Sequence, residues 1–223
     1  MNGHRFSMSG VELKRGGRVI VTAVNLDAQP GELIVLRGPS GSGKTTILRA
    51  VAGLDPFDAG TIQVGDARLE GGRTPDVGML HLLRRSVGFV FQFHCLFEHM
   101  TALQNVCLAP IHVYRQSGRS ADERARAILN ELGVEARASA LPRQLSGGEA
   151  QRVAIARALA VDPPVLLMDE PMASLDPSRR ADLGALLKRL TASGRTLLVT
   201  SHDEVFANQF ATRIVTIEDG RLV

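Results

Sequence analysis

The sequence predicts an α/β fold: a mainly parallel sheet with flanking helices, an N-terminal antiparallel β region and an inserted helical subdomain. Three observations carry this. An apolar run, Leu33-Ile34-Val35-Leu36, leads through the glycine-rich stretch 38–45 into a helical stretch, Thr46-Ile47-Leu48-Arg49-Ala50-Val51-Ala52. From Val165 onward strands and helices alternate, the pattern of a parallel sheet with crossover helices. Between these lies a stretch of about 93–158 with helical rather than strand periodicity.

Taken in order, residues 5 to 37 read as strands broken by turns at Arg15-Gly16-Gly17 and Gln29-Pro30-Gly31. Gly53 and Pro56 end the first helix, and Gly60-Thr61-Ile62-Gln63-Val64 reads as a strand. Val87-Gly88-Phe89-Val90-Phe91 is a buried-strand pattern. Thr101-x-x-Gln104 and Ser120-x-x-Glu123 have the spacing of capping boxes, and Gly133 is placed to end the second helix. A further helix runs from about Glu149 to Ala160. Val165 to Met168 is a strand, and Asp176-Pro177 supplies a capping side chain and an N1 proline to a helix reaching about Thr191. Thr196 to Thr200 and Arg213 to Ile217 read as the final strands, closed by Asp219-Gly220. The expected organisation is one domain over 1–223, with a core lobe of 1–92 and 159–223 and a helical subdomain of about 93–158.

Bulk properties narrow the classes. The 223 residues suffice for a sizeable core, and 44% hydrophobic with 22% charged content is that of a globular protein. Lys+Arg exceed Asp+Glu by 26 to 23, too mild an excess, with no basic run, to argue for nucleic acid. Runs such as Val165-Leu166-Leu167-Met168 fall far short of a membrane span, and Met1-Asn2-Gly3-His4-Arg5 leads into no apolar signal stretch. Cys95 and Cys107 form no CxxC pair and fit a reducing cytosol. The expectation is a cytosolic, non-spanning protein.

The chemistry begins at Gly38-Pro39-Ser40-Gly41-Ser42-Gly43-Lys44-Thr45, which matches G-x-x-x-x-G-K-[ST], the Walker A phosphate loop. Glycines allow successive N–H groups to point inward, and the following helix N-terminus adds partial positive charge. Lys44 is placed to reach β- and γ-phosphates, and the Thr45 hydroxyl to ligate Mg²⁺. Thr46 continues the loop into the helix. Val165-Leu166-Leu167-Met168-Asp169-Glu170 is a Walker B pattern. Asp169 at the strand end suits Mg²⁺ held through water, and Glu170 suits a general base toward a water attacking the γ-phosphate. Adjacent on one strand, the two carboxylates diverge and take different roles. In Leu145-Ser146-Gly147-Gly148-Glu149-Ala150-Gln151-Arg152, Ser146 and two glycines head a helix, which makes a second phosphate-binding end.

This last motif, LSGGE within QLSGGEAQRVAIARAL, resembles the LSGGQ signature of ATP-binding-cassette (ABC) ATPases, whose core is that of the P-loop NTPases. The remaining cassette motifs follow in order over essentially the whole chain. Gln92 resembles the Q-loop glutamine, which implies Mg²⁺ ligation and sensing of the γ-phosphate. Ser174-Leu175-Asp176 resembles the D-loop, and His202 the switch histidine. The resemblance implies ATP and Mg²⁺ as cofactors, with Glu170, His202, Gln92 and Lys44 as catalytic residues. Nucleotide would be held by 38–46 and, from a second copy, by Ser146, Gly147, Gly148 and Asp176. The metal would be held by Thr45, Gln92 and Asp169. Two departures stand out: Arg15 occupies the region where relatives carry an adenine-stacking aromatic, and Met172 follows Asp-Glu-Pro. Arg15 is placed to stack its guanidinium on the base instead.

By the same resemblance, two cassettes pair head to tail, and separate transmembrane permease subunits dock near Gln92 and the helical insertion. The chain would sit peripherally on the cytoplasmic face of the cell membrane. Phe91 through Val106 and Leu108-Ala109-Pro110-Ile111 resemble importers of polar amino acids, which implies a periplasmic-type solute-binding protein in the full system. Lipoprotein-releasing and macrolide-export cassettes share much of that stretch. Non-transport members acting on DNA or ribosomes need zinc modules, long coiled coils or two cassettes in one chain, and none of these is present in the sequence.

Overall fold

The structure, a computed structural model, describes residues 6–173 and 175–223. Met1–Arg5 and Ser174, the latter part of the expected D-loop, lie outside the described residues.

Two sheets make the frame. β1 (Phe6–Arg15), β2 (Arg18–Ala28), β4 (Ala59–Val64) and β5 (Ala67–Glu70) form an antiparallel sheet in the order β2-β1-β4-β5. The second sheet has the order β10-β9-β3-β8-β7-β6, from β3 (Leu33–Arg37), β6 (Val87–Val90), β7 (Val165–Asp169), β8 (Thr196–Thr200), β9 (Arg213–Glu218) and β10 (Arg221–Leu222). All its pairings are parallel except β9 with β10.

The period-2 alternation of each parallel strand splits the core into two layers. Ile34, Leu36, Val165, Leu167 and Leu198 face the antiparallel sheet and α1 (Lys44–Val51). Leu33, Val35, Leu166, Met168, Leu197 and Val199 face the other way. There they pack in one continuous cluster with α3 (Ala102–His112), α4 (Gly118–Glu131), α5 (Gly147–Leu159) and α6 (Pro177–Ala192). The helical insertion therefore shares its core with one face of the sheet.

Local signals behave as read at several ends. Thr101 and Gln104 form a capping box on α3, Asp176 caps α6 with Pro177 at N1, and Gly133 follows α4 with φ of 70°. The Ser120/Glu123 box does not form. Ser117 is the N-cap, its hydroxyl accepting from the Ser120 N–H, so the helix starts one turn earlier and Glu123 pairs with Arg119. The stretch after Phe91 is not helical until Ala102, and 132–146 contains only two short 3₁₀ turns. Four elements lay outside the sequence reading: β5, β10, α2 (Val77–Ser86) and α7 (Glu204–Phe210).

At Gly184 the α6 backbone meets the Phe210 ring of α7 so closely that a Cβ there would lie 2.5 Å from it. Helix propensity alone favours Gly184→Ala by about 1 kcal/mol. Overpacking should reverse the sign, with a net loss of about 1–3 kcal/mol in urea denaturation. A stabilised variant would contradict this packing.

Candidate nucleotide site

The carboxyl ends of the parallel strands carry the chemistry. Gly38 follows β3, Gln92 lies just beyond β6, Asp169 ends β7 with Glu170 next, and His202 lies just beyond β8. Open α/β sheets present ligand sites at this edge, because short loops there converge. The loop between β3 and α1 wraps a cavity of about 380 Å³ lined by Gly38, Ser40, Gly41, Gly43, Lys44, Thr45, Thr46, Gln92, Glu170 and His202. Ten of the sequence-predicted residues thus meet in one place.

Glycine is required at two of these positions. A Cβ on Gly38 would collide with the Ile217 carbonyl oxygen and Ser42, and one on Gly43 (φ 100°) would lie 2.8 Å from a Val21 methyl. Gly43 is the N-cap of α1 and has no side chain to cap it, so the first N–H groups of the helix face the loop. Lys44, almost fully buried, donates to the carbonyls of Gly38 (2.8 Å) and Pro39 (2.9 Å), which folds its ammonium back along the loop. Pro39 is exposed, and the Ser42 hydroxyl is buried without a partner among the described residues.

Asp169 is buried, and its Oδ1 accepts from the hydroxyls of Thr45 (3.0 Å) and Thr200 (2.7 Å). The Thr200 oxygen in turn accepts the Glu170 N–H at 2.8 Å. This pins Glu170 in a left-handed backbone (φ 45°), which turns its side chain away from that of Asp169. The Glu170 Oε2 lies 3.0 Å from His202 Nδ1. The two carboxylates therefore have separate surroundings: one tied to α1, one held by an imidazole at the cavity. Asp169, the Thr45 hydroxyl and the nearby Gln92 amide form an all-oxygen donor set, the chemistry that Mg²⁺ prefers.

Beyond Gln92 the chain takes two successive left-handed residues, His94 (φ 60°) and Cys95 (φ 49°). Arg157, near the end of α5, holds both by donating to the carbonyls of Cys95 (2.6 Å) and His94 (2.9 Å). Burial pushes the His94 imidazole below its ordinary pKa, partly opposed by a hydrogen bond with Gln151. Asn105, fully buried, then organises 97–101 through bonds to Phe97, Met100 and Thr101. Sequence reasoning missed Arg157, Asn105 and the bridging role of Thr200, because each acts through a partner distant in sequence or through main-chain atoms.

Ser146, Gly147, Gly148 and Asp176 are not in this cavity. Ser146 caps α5 in a box with Glu149, whose carboxylate accepts the Ser146 N–H at 2.7 Å. That bond, first, then the Ser146 hydroxyl and the charges of Arg137 and Arg179, hold the Glu149 carboxyl below its usual range, against a burial penalty second only to the Ser146 N–H bond. Ser146 and Gly148 line a separate cavity of about 270 Å³ that shares no residue with the first, and Asp176 caps the adjacent α6. Arg15 lies elsewhere again. Its guanidinium pairs with Asp55 (3.3 Å) and donates to the carbonyls of Lys14 (2.9 Å) and Pro56 (3.2 Å). It is committed to the β1 edge rather than to the phosphate-loop cavity.

The fold and this site define a phosphate-loop nucleotide-binding protein with a second, remote phosphate-type helix end. The family described as ABC transporter matches residues 21–173, and the chain belongs to that family. It is 39% identical over 223 residues to the L-cystine transport system ATP-binding protein TcyN of Escherichia coli (strain K12), covering 97% of this chain and 89% of that one. It is 41% identical over 204 residues to the glutamine transport ATP-binding protein GlnQ of Bacillus subtilis (strain 168), covering 92% and 83%. Among solved structures, the dimeric structure of MJ0796, a bacterial ABC transporter cassette, superposes with a TM-score of 0.86 at 36% identity over 97% of this chain and 96% of that one. The chain is accordingly an ATP-binding, ATP-hydrolysing cassette, and no helix of the described residues is long and apolar enough to cross a membrane.

Thr200→Val is nearly isosteric yet removes the donor to Asp169 and orphans the Glu170 N–H. A loss of about 1–3 kcal/mol in chemical denaturation is expected. An unchanged midpoint would remove Thr200 from this role.

Proposed function

We propose that the chain energises import of polar amino acids as one of two head-to-tail cassettes on the cytoplasmic face of a membrane, bound to separate permease subunits. The observation that carries the pairing is the separation of the two phosphate-type ends. The loop 38–46 and the Ser146–Gly148 helix start line different cavities, so one nucleotide meets both only when a second copy faces the first. The dimeric neighbour of similar fold supports this arrangement. The named relatives support amino acid import over lipoprotein release or macrolide export. A periplasmic-type solute-binding protein would complete such a system, and nucleic acid has no place in it.

In this reading the N–H groups of 41–45 and the Lys44 ammonium, released from its own loop carbonyls, cradle the β- and γ-phosphates. Thr45, Asp169 and Gln92 would hold Mg²⁺, which supplies charge neutralisation on the phosphates. Glu170 takes a proton from the attacking water as its oxygen bonds to the γ-phosphorus and the bond to the ADP oxygen breaks. His202 orients that carboxylate and faces the γ-phosphate. Ser146, Gly147, Gly148 and Asp176 of the facing copy complete the site. With Arg15 held by Asp55, the base receives little stacking from it.

Lys44→Ala should weaken ATP binding and abolish hydrolysis with the fold intact; full turnover in the variant would remove this loop from catalysis. Glu170→Gln keeps size but cannot accept the proton, so hydrolysis should fall by roughly 10²–10⁴-fold while ATP still binds. It should elute as a dimer with ATP–Mg²⁺ and as a monomer without, and a monomer at saturating ATP counts against the pair. With no side chain committed to stacking on the base, GTP should compete with ATP within about tenfold, the margin that a single weak contact of ~1 kcal/mol would give; a far larger preference for ATP would reveal a base pocket outside these residues.

A further inference from the structure

The cavity between the starts of α5 and α6 holds a charge that the motifs do not explain. Arg179, in the first turn of α6, reaches across to the second signature glycine: a Cβ built on Gly148 would stand 3.4 Å from one of its terminal nitrogens. A cation beside the positive end of α5 is unfavourable by itself. The neighbouring arginines are engaged otherwise. Arg152 donates to the Leu132 carbonyl at 2.9 Å and faces Asp182, and Arg137 pairs with Glu149 at 3.1 Å. Arg179 has only an exposed pairing of its Nε with Asp176 (3.2 Å), and among the described residues its side chain makes no hydrogen bond. Asp176 itself is already satisfied by the Ser178 hydroxyl (2.6 Å) and the Arg179 N–H (3.1 Å). Gln151, 2% exposed, also borders this cavity, but its side chain is turned inward to His94 and offers no accessible donor. An open cavity of about 270 Å³ thus gathers a helix start, a hydroxyl and a guanidinium held only by one exposed ion pair, beside the already paired carboxylates of Glu149 and Asp182. That donor set asks for an anion with several acceptor oxygens.

We propose that Arg179 is a trans contact to nucleotide. In the assembled pair its guanidinium meets the terminal phosphate of the ATP held by the facing copy, beside Ser146 and Gly148. This rests on the head-to-tail reading above. The planar fork of arginine suits a phosphate better than an ammonium does, and it offsets the carboxylate that Glu149 brings to the same helix start.

The test uses the full chain carrying Glu170→Gln, with Arg179→Leu or Arg179→Lys added. Dimer formation is followed by analytical ultracentrifugation across an ATP–Mg²⁺ titration. Nucleotide binding to the monomer is followed separately, at high dilution, with a fluorescent ATP analogue. Loss of one charge-assisted contact at each of two symmetric sites should weaken the ATP-dependent dimer by roughly 10²-fold or more in Arg179→Leu. Arg179→Lys should recover part of this. Binding to the monomer should be unchanged in both, and it is the partial recovery in Arg179→Lys, which restores the charge, that a loss of structure at the α6 start would not produce. If the Glu170→Gln protein dimerises and Arg179→Leu does so at the same ATP concentration, Arg179 is only a partner of Asp176 and the proposal falls alone. If Glu170→Gln itself stays monomeric, the pair falls and this contact with it.

Discussion

One hydrogen-bonded knot, the Asp169 carboxylate between the hydroxyls of Thr45 and Thr200, ties the molecule together. It joins α1, β7 and β8 at the polar rim of strands that are otherwise apolar but for Thr196. A buried carboxylate is tolerated only when its oxygens are satisfied, and two hydroxyl donors serve here. The same Thr200 oxygen fixes the backbone of the next residue. The junction of the two strands and the backbone of Glu170 are therefore fixed by one side chain, and a shift of β8 against β7 would disturb both.

The second organising element is α5. Its first turn presents Ser146 to solvent, and near its far end Arg157 grips the strained segment after Gln92. Most of the helix between is buried against the same cluster that covers the sheet face. A rod clamped at both ends transmits displacement from one to the other without needing a flexible joint of its own. The segment after Gln92 is in this way joined through one buried helix to the exposed Ser146 end.

Much of this was legible in the sequence, for identifiable reasons. The phosphate loop, the paired carboxylates and the capped starts of α5 and α6 are local: glycine freedom, strand-end position and cap chemistry decide them within a few residues. The elements missed were weakly patterned. α2 buries only Leu83, α7 has seven residues, and β5 and β10 are short edge strands. Ser120 has the right spacing for a capping box, yet the helix takes Ser117, because both serines satisfy the same local rule and packing of Ala121, Ala125 and Leu129 chooses between them. The placement of Arg15 was illegible, since its carboxylate partner, Asp55, lies forty residues on and is also shared with Arg49. Thr200 and Arg157 act through contacts that exist only after the sheet has formed.

The burial of Lys44 has a practical side. The chain carries 26 basic residues, of which only Lys14, Lys44 and Lys188 are lysines, and Lys14 and Lys188 are exposed. Amine-selective acylation therefore meets a nearly blank background. One ε-amino group sits against loop carbonyls at the phosphate end of the cavity, and the other two stand in solvent as internal references. The protein carries, in its own composition, a chemical footprint of whether its phosphate loop is occupied.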